Sequence, residues 1–336
     1  MSDITRVIIK TIISNKIQEI KDSPKRSIRN LVDLGLNFSN GRFQKLFLET
    51  TQTMLKNEQS PYYDLIQDKV YHTNSERLIS FGLNIGYNSC TVGAKKIREI
   101  EAKDKFNIPW SISLEINETN FEHNKERYLS IIEQGENLGI YTWFIYPTGE
   151  TFNYLALARE YPDSAFVIFC SAQSITESFL ENIDELNNVM IVVKYEENIE
   201  DICEHLRKRE LLYSVYFSYS ESDIDTILDG EIIEDIVEMH PAFTMLMPTI
   251  NCSKEVRKKI YEYVIQSRKE QRFQTILWDI VSDSCFVDSV ISEDYCFAGF
   301  DKDGNLYTIN GKKQDEKNNI FNNKLIDIFK LAFFKK

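Results

Sequence analysis

Glycine and proline are scarce in this chain, at 12 and 7 of 336 residues. Disordered or linker-rich chains are usually rich in both, so a densely packed globular protein is expected. No stretch approaches the roughly 20 apolar residues that a membrane-spanning helix requires, so no membrane association is expected. Cysteine occurs six times (Cys90, Cys170, Cys203, Cys252, Cys285, Cys296) but never as a close pair. That scatter offers no disulfide framework, and reduced cytosolic thiols fit it better. A basic excess is missing too. The net charge is −13, whereas a general nucleic-acid binder neutralises phosphates with clustered Lys and Arg, so nucleic acid is not an expected partner. The opening residues, Met1 to Lys21, alternate Ile with Asn, Lys, Gln and Glu instead of presenting a basic start and an apolar run. A secretory signal is therefore not expected, and the cytoplasm is the expected compartment. Walker loop, dinucleotide fingerprint, serine elbow and HExxH helix are all lacking.

What is present is apolar and aromatic: 43% hydrophobic residues, with 21 Phe and 17 Tyr, enough for one large barrel-type core or two ordinary ones. Charge is uneven. The first sixty residues carry ten Lys/Arg against six Asp/Glu, so the acidic excess lies in the remainder. An opposite-signed surface pair can assist docking, although ordinary solvated faces account for the same pattern. The first third reads as mainly helical. Apolar residues at 4, 8, 12, 13, 17 and 20 keep a helical period up to Ser23-Pro24, and further helical stretches run over 27–36 and 43–56 around a loop at 37–42. Arg77 to Cys90 shows β-like alternation, and a helix is expected over 92–102. After the break at Asn107 to Trp110 the texture changes to strand and helix in alternation. Strands are expected at 111–116, 141–146, 165–170, 189–194, 213–218 and 243–248, each followed by a helix-periodic segment. Such βα units build either a TIM-like barrel, complete or partial, or an open doubly wound sheet, and spacing alone does not choose between them.

Three strand ends carry the chemistry. The first strand runs into SLEINETNFEHNKERY (113–128), the second ends in WFIYPTGETF (143–152) and the third in FVIFCSAQSITESF (166–179). In order and spacing this trio resembles the radical S-adenosylmethionine (radical-SAM) superfamily. There the first loop carries Cys-x3-Cys-x2-Cys, the second strand ends in Gly-Gly-Glu-Pro and the third in Thr-Asn-Gly. The resemblance puts the three cluster cysteines on Thr119, His123 and Glu126, none of which is a cysteine. The Gly-Glu centre that meets the cofactor's amino group in the family survives as Gly149-Glu150 between Thr148 and Thr151. The third motif survives only as Cys170-Ser171-Ala172. Toward the C-terminus, DYCFAGFDKDGNLYTIN (294–310) is similar to the opening of the cysteine-rich SPASM extension. Cys296 stands at its first cysteine and Ile309 at its second. The resemblance implies an α/β chain with a radical-SAM-like partial (βα)6 TIM-type barrel over 107–265. It also implies a SPASM-like remnant over 266–336, ending in a helix near 318–334, and the helical period of the first third gives a helical N-terminal region over 1–106.

The resemblance bears on function through the missing thiolates. An iron–sulfur cluster of this kind needs three soft anionic donors, which Thr119, His123 and Glu126 do not supply, so no cluster is expected, and S-adenosylmethionine is not an expected cofactor. His123 and Glu126 could meet a mononuclear metal if their turn is helical, but two ligands are too few, and no metal is expected. The ligand-binding candidates are Thr148, Gly149, Glu150 and Ser171. Glu150 stands at a strand C-terminus, where barrel enzymes place working residues; it could grip a ligand amine or peptide N–H, or only cap the next helix. The stretch 217–238, with eight acidic and no basic side chains, could recruit a basic peptide or form a solvated helix face. The expected role is a non-catalytic pseudo-radical-SAM protein in ribosomal peptide maturation, partnered by a peptide substrate or an active radical-SAM enzyme. Two alternatives remain open. One is an enzyme using the barrel mouth for non-radical chemistry through Glu150, His123 and Glu126. The other is a structural subunit.

Overall fold

The computed structural model describes residues 4–39, 41–149, 152–313 and 315–335. Its first part is helical: α1 (Ile4–Asp22), α2 (Pro24–Phe38), α3 (Arg42–Met54), α4 (Pro61–His72) and α5 (Ser75–Leu83). The breakers expected from the sequence act as helix starts. Pro24 and Pro61 open α2 and α4, where a missing N–H costs nothing. The Ser60 hydroxyl accepts the Tyr62 N–H, and Asn74 accepts those of Glu76 and Arg77. Ile17, Ile20, Ile28, Val32, Tyr63 and Val70 form a core of their own among these helices.

Arg77 to Cys90 departs from the β-like expectation. It is helical throughout, as α5 followed by a π-helical segment over 84–93 and then α6 (Ala94–Asp104). The reason is burial on two sides. Ile79 and Leu83 pack into the N-terminal core while Phe81 joins the main core, so a sandwiched helix is apolar on opposite faces and imitates a strand's alternation.

All six expected strands form: β1 (Ser111–Asn117), β2 (Thr142–Thr148), β3 (Ala165–Cys170), β4 (Val189–Lys194), β5 (Tyr213–Tyr219) and β6 (Phe243–Pro248). Between them lie α7 (Glu118–Leu138), α8 (Ala156–Glu160), α9 (Glu177–Ile183), α10 (Ile199–Lys208), and the pair α11 (Ile224–Asp229) and α12 (Glu231–Glu238). After α13 (Lys254–Glu270) comes a seventh parallel strand, β7 (Ile276–Asp279), too short to show a period in the sequence. Then α14 (Ile280–Ser292) leads to β8 (Ala298–Phe300), which pairs parallel with β1, and to the antiparallel β9 (Leu306–Thr308) and β10 (Gly311–Lys312). The sheet order is β10-β9-β8-β1-β2-β3-β4-β5-β6-β7, a curled partial barrel. An Asp303-Gly304 turn connects β8 to β9. The final helix, α15 (Leu325–Ala332), is shorter than expected, with a 3₁₀ turn over 316–318 ahead of it.

Side chains alternate across the sheet. Ile112, Leu114, Ile116, Trp143, Ile145, Phe166 and Ile168 form one buried face, against helices such as α7, where Gly135 leaves room for the Trp143 ring. The other face is concave and carries Ser113, Glu115, Phe144, Tyr146, Phe169, Lys194 and Tyr216. Helix α14 ties β7 back to the foot of β1: Asp288 accepts the Trp110 backbone N–H at 2.9 Å, and the Trp110 indole donates to the Ser284 carbonyl at 3.1 Å.

Candidate functional site

Burial along the concave face is graded. Ser113, Phe144, Phe169, Val192, Ser214 and Met245 are buried, whereas one step toward the strands' C-terminal ends Glu115, Asn117, Tyr146, Lys194, Tyr216, Ser218 and Met247 are half-exposed. The face is therefore a cup with an apolar floor, open on the side where βα folds place ligands. Register assembles its wall. Glu115 lies beside Tyr146, Asn117 beside Thr148, Lys194 beside Tyr216, Tyr216 beside Met245, and Met245 beside Trp278. Tyr146 stacks on Phe169 (ring centroids 4.3 Å apart, planes at 14°), and Tyr216 meets Phe169 edge-on at 5.4 Å. From the other side Tyr307 of β9 lies over Gly299, where a Cβ would come within 2.1 Å of its ring.

The carboxyl and phenols of this wall resist charge. Burial pushes the Glu115 carboxyl above the ordinary carboxylate value and the nearby Asp301 adds to this, while the Lys302 backbone N–H and Lys312 oppose it. Burial raises Tyr146 and Tyr307, Glu115 adds to both and Tyr307 to Tyr146, and the Ser113 hydroxyl beside both phenols works in the opposite direction. Tyr216 is pushed up to about 12, again by burial first. The wall thus presents three neutral phenols, one poorly solvated carboxyl and the Lys194 side chain.

The positions assigned to cluster cysteines are elsewhere. Helix α7 begins immediately after β1: the Asn117 side chain caps it by accepting the Asn120 N–H at 2.7 Å. Thr119, His123 and Glu126 fall one, two and three turns along this helix, all exposed. The His123 Nδ1 atom sits 2.6 Å from the Thr119 carbonyl oxygen, and the helix kinks at Asn124. Its flank is held by the C-terminal segment, with the Asn120 amide donating to the Lys302 carbonyl and the Arg127 guanidinium to the carbonyls of Ile320 and Asn323. A thiolate-type cradle does not fit this donor set. Among the described residues no group of three or more His, Cys, Asp or Glu side chains is placed to hold a metal.

Thr148 and Gly149 lie on the rim of the cup, both exposed. Gly149 has φ +127°, a conformation that favours glycine, and a Cβ there would only touch the Glu118 Cβ at 3.4 Å, so the backbone conformation and not crowding calls for glycine. Glu150 lies outside the described residues. Ser171 is exposed at the end of β3, where its carbonyl accepts the Ser174 hydroxyl at 2.8 Å; the next N–H, of Ala172, donates to Glu196 at 2.9 Å. Cys170 and Cys203 are buried, with thiols pushed up to about 12 by burial. Cys296 is fully buried against Asp288, whereas Ile309 is exposed on the β9–β10 turn.

Sequence reasoning missed Glu115, Tyr146, Tyr216, Lys194 and Tyr307. A signal was available in SLEIN, where Ser113, Glu115 and Asn117 put a polar residue at every second strand position. A cleft of about 460 Å³ on the outer surface, lined by Glu133, Glu136, Glu160, Tyr161 and Asp163 among others, was equally unannounced. So was one of about 480 Å³ between α10 and α12, reached by Arg207 and His240. In the acidic stretch 217–238, Ile227, Ile233 and Ile236 are buried and the carboxylates line the solvent side of α11 and α12.

No family model matches the sequence, and no curated protein matches it. Among solved structures, SuiB of Streptococcus suis bound to S-adenosylmethionine superimposes with a TM-score of 0.50 at 12% identity. The match takes in 70% of this chain and 66% of that one, just under two thirds of its length. SuiB bound to the precursor peptide SuiA gives a TM-score of 0.50 at 12% identity over 70% and 67% of the two chains. The likeness is one of fold: a radical-SAM-like partial barrel preceded by a helical region.

Proposed function

We propose that this chain is a non-catalytic, pseudo-radical-SAM protein that binds a peptide in its barrel cup during maturation of a ribosomally made peptide. It would either hold the substrate or present it to an active radical-SAM enzyme. The observation that carries this reading is the fate of the first loop. Where the resemblance calls for a loop of three thiolates there is a capped helix, and its Thr119, His123 and Glu126 point to solvent without a soft donor among them. A cup that keeps its aromatic wall but has no cluster cradle is suited to holding a chain of residues. The structure of SuiB with its precursor peptide supports a peptide as the class of ligand in this fold.

The proposed boundaries are a helical region over 1–106, a barrel over 107–265 and a SPASM-like remnant over 266–336, with no iron–sulfur cluster. Photo-cross-linking tests the peptide: p-benzoylphenylalanine in place of Met247, on the cup rim, is expected to attach a peptide from the native host, identified by mass spectrometry. Anaerobic reconstitution with iron and sulfide tests the absence of catalysis. A stoichiometric cluster together with cleavage of S-adenosylmethionine would overturn the reading.

A further inference from the structure

Glu115 is a half-buried carboxyl without an ion-pair partner of its own, set in an aromatic wall. Among the described residues it makes no ion pair: Lys312, whose charge acts on it, is bonded to Asp301, and Lys302 offers its backbone N–H. Asp301 and Asp303 from the β8–β9 turn add charge of the same sign, which Lys312 offsets in part; the other cation of this face, Lys194, lies across the cup and pairs with Glu196 at 3.8 Å. On its sheet side stands Tyr146, stacked on Phe169, with Tyr216 edge-on beyond it. A half-buried carboxylate next to stacked π-faces attracts one class of group, a planar or compact cation. The carboxylate supplies charge compensation, and the ring faces supply the quadrupole attraction and flat contact that guanidinium and ammonium groups favour.

We infer that the cup holds a cationic side chain of the bound peptide, with Glu115 as its counter-ion and Tyr146, Phe169 and Tyr216 as its walls. This rests on the peptide-binding reading and adds which residue the cup selects. The acidic outer cleft is a poorer host for such a group. Two of its four carboxylates already have partners: Glu136 accepts the Ser164 hydroxyl at 2.8 Å, and Asp163 pairs with Arg6 at 3.0 Å.

The test labels the protein with 3-fluorotyrosine and follows the resonances of Tyr146, Tyr216 and Tyr307 by ¹⁹F NMR. The probes are N-acetyl-arginine amide and its neutral isostere N-acetyl-citrulline amide. A saturable shift is expected with the arginine probe, at least tenfold weaker with citrulline. Glu115→Gln should weaken arginine binding at least tenfold, and Glu133→Gln in the outer cleft should leave it unchanged. Tyr216→Leu, which leaves the carboxylate in place, should weaken it at least threefold and serves if the Glu115 variant fails to fold. Equal binding of both probes, or full affinity in Glu115→Gln or in Tyr216→Leu, would overturn the inference. The two readings fail separately. A cross-linked peptide whose capture is indifferent to Glu115→Gln leaves peptide binding standing without the cation site. Arginine binding with no cross-linked peptide leaves the cation site without the peptide.

Discussion

Arg77 shows how much one side chain can organise. The residue is 7% exposed, and its guanidinium donates to the backbone carbonyls of Asp184, Leu186, Arg209 and Glu210, which lie beyond the ends of α9 and α10. Removing it strands several buried acceptors at once, each costing the desolvation of a carbonyl. Arg77→Met should lower stability by roughly 2–4 kcal/mol, read as a shift of the urea midpoint. Asp288 acts in the other sense. Its carboxyl is buried and raised well above 3.8, chiefly by desolvation, so the folded state prefers it protonated. The stabilising contribution is complete below the unfolded value, near pH 4, and is lost as pH rises through the folded value. Asp288→Asn, which keeps the acceptor for the Trp110 N–H, should match the parent in urea unfolding at pH 4 and exceed it increasingly toward pH 8. A constant gap across that range would contradict the assignment.

At the scale of elements, α7 matters most because its start decides what the mouth of the barrel can hold. Its cap is a single side chain, and Asn117→Ala should cost about 1 kcal/mol and speed amide exchange over 118–122 while leaving exchange in β1 unchanged. Further along, Gly135 would ordinarily gain helix stability as alanine. Here a Cβ would stand 2.4 Å from the Trp143 ring, so Gly135→Ala should instead destabilise by about 1–3 kcal/mol, measured as a lower melting temperature. The start of α7 was only partly legible. Asn117 is a good cap residue, but the resemblance pointed to a loop there. The extended look of 77–90 misled for a physical reason, since burial on two faces hides a helix's period.

For the molecule as a whole, the N-terminal helices are joined to the barrel by polar contacts that respond to acid. Asp68 of α4 receives a two-pronged bond from Arg207 of α10 and pairs with Lys69. Burial alone would raise its carboxyl, but these cations hold it at about 2 against an ordinary 3.8. Its contribution is therefore present above pH 4 and lost as pH falls toward 2. Acid unfolding followed by the fluorescence of Trp110, Trp143 and Trp278 should begin at higher pH in Asp68→Asn than in the parent. Within the N-terminal region α3 contributes no buried residue, and its amides should exchange fastest among the long helices.

Periodicity alone placed six strands within a residue or two of where they lie, because a strand inside a βα unit is a short apolar run bounded by breakers, a signal that needs no partner. The missing thiolates at Thr119, His123 and Glu126 were equally plain from residue identity. The cup was a different matter. Glu115, Tyr146, Tyr216 and Tyr307 come from four strands spread over nearly two hundred residues, and they meet only because parallel register and the returning C-terminal hairpin bring them onto one concave face. Local sequence determined which segments are strands and which donors are lacking. The curl of the sheet decided which side chains share a wall, since that depends on pairings between residues far apart in the chain.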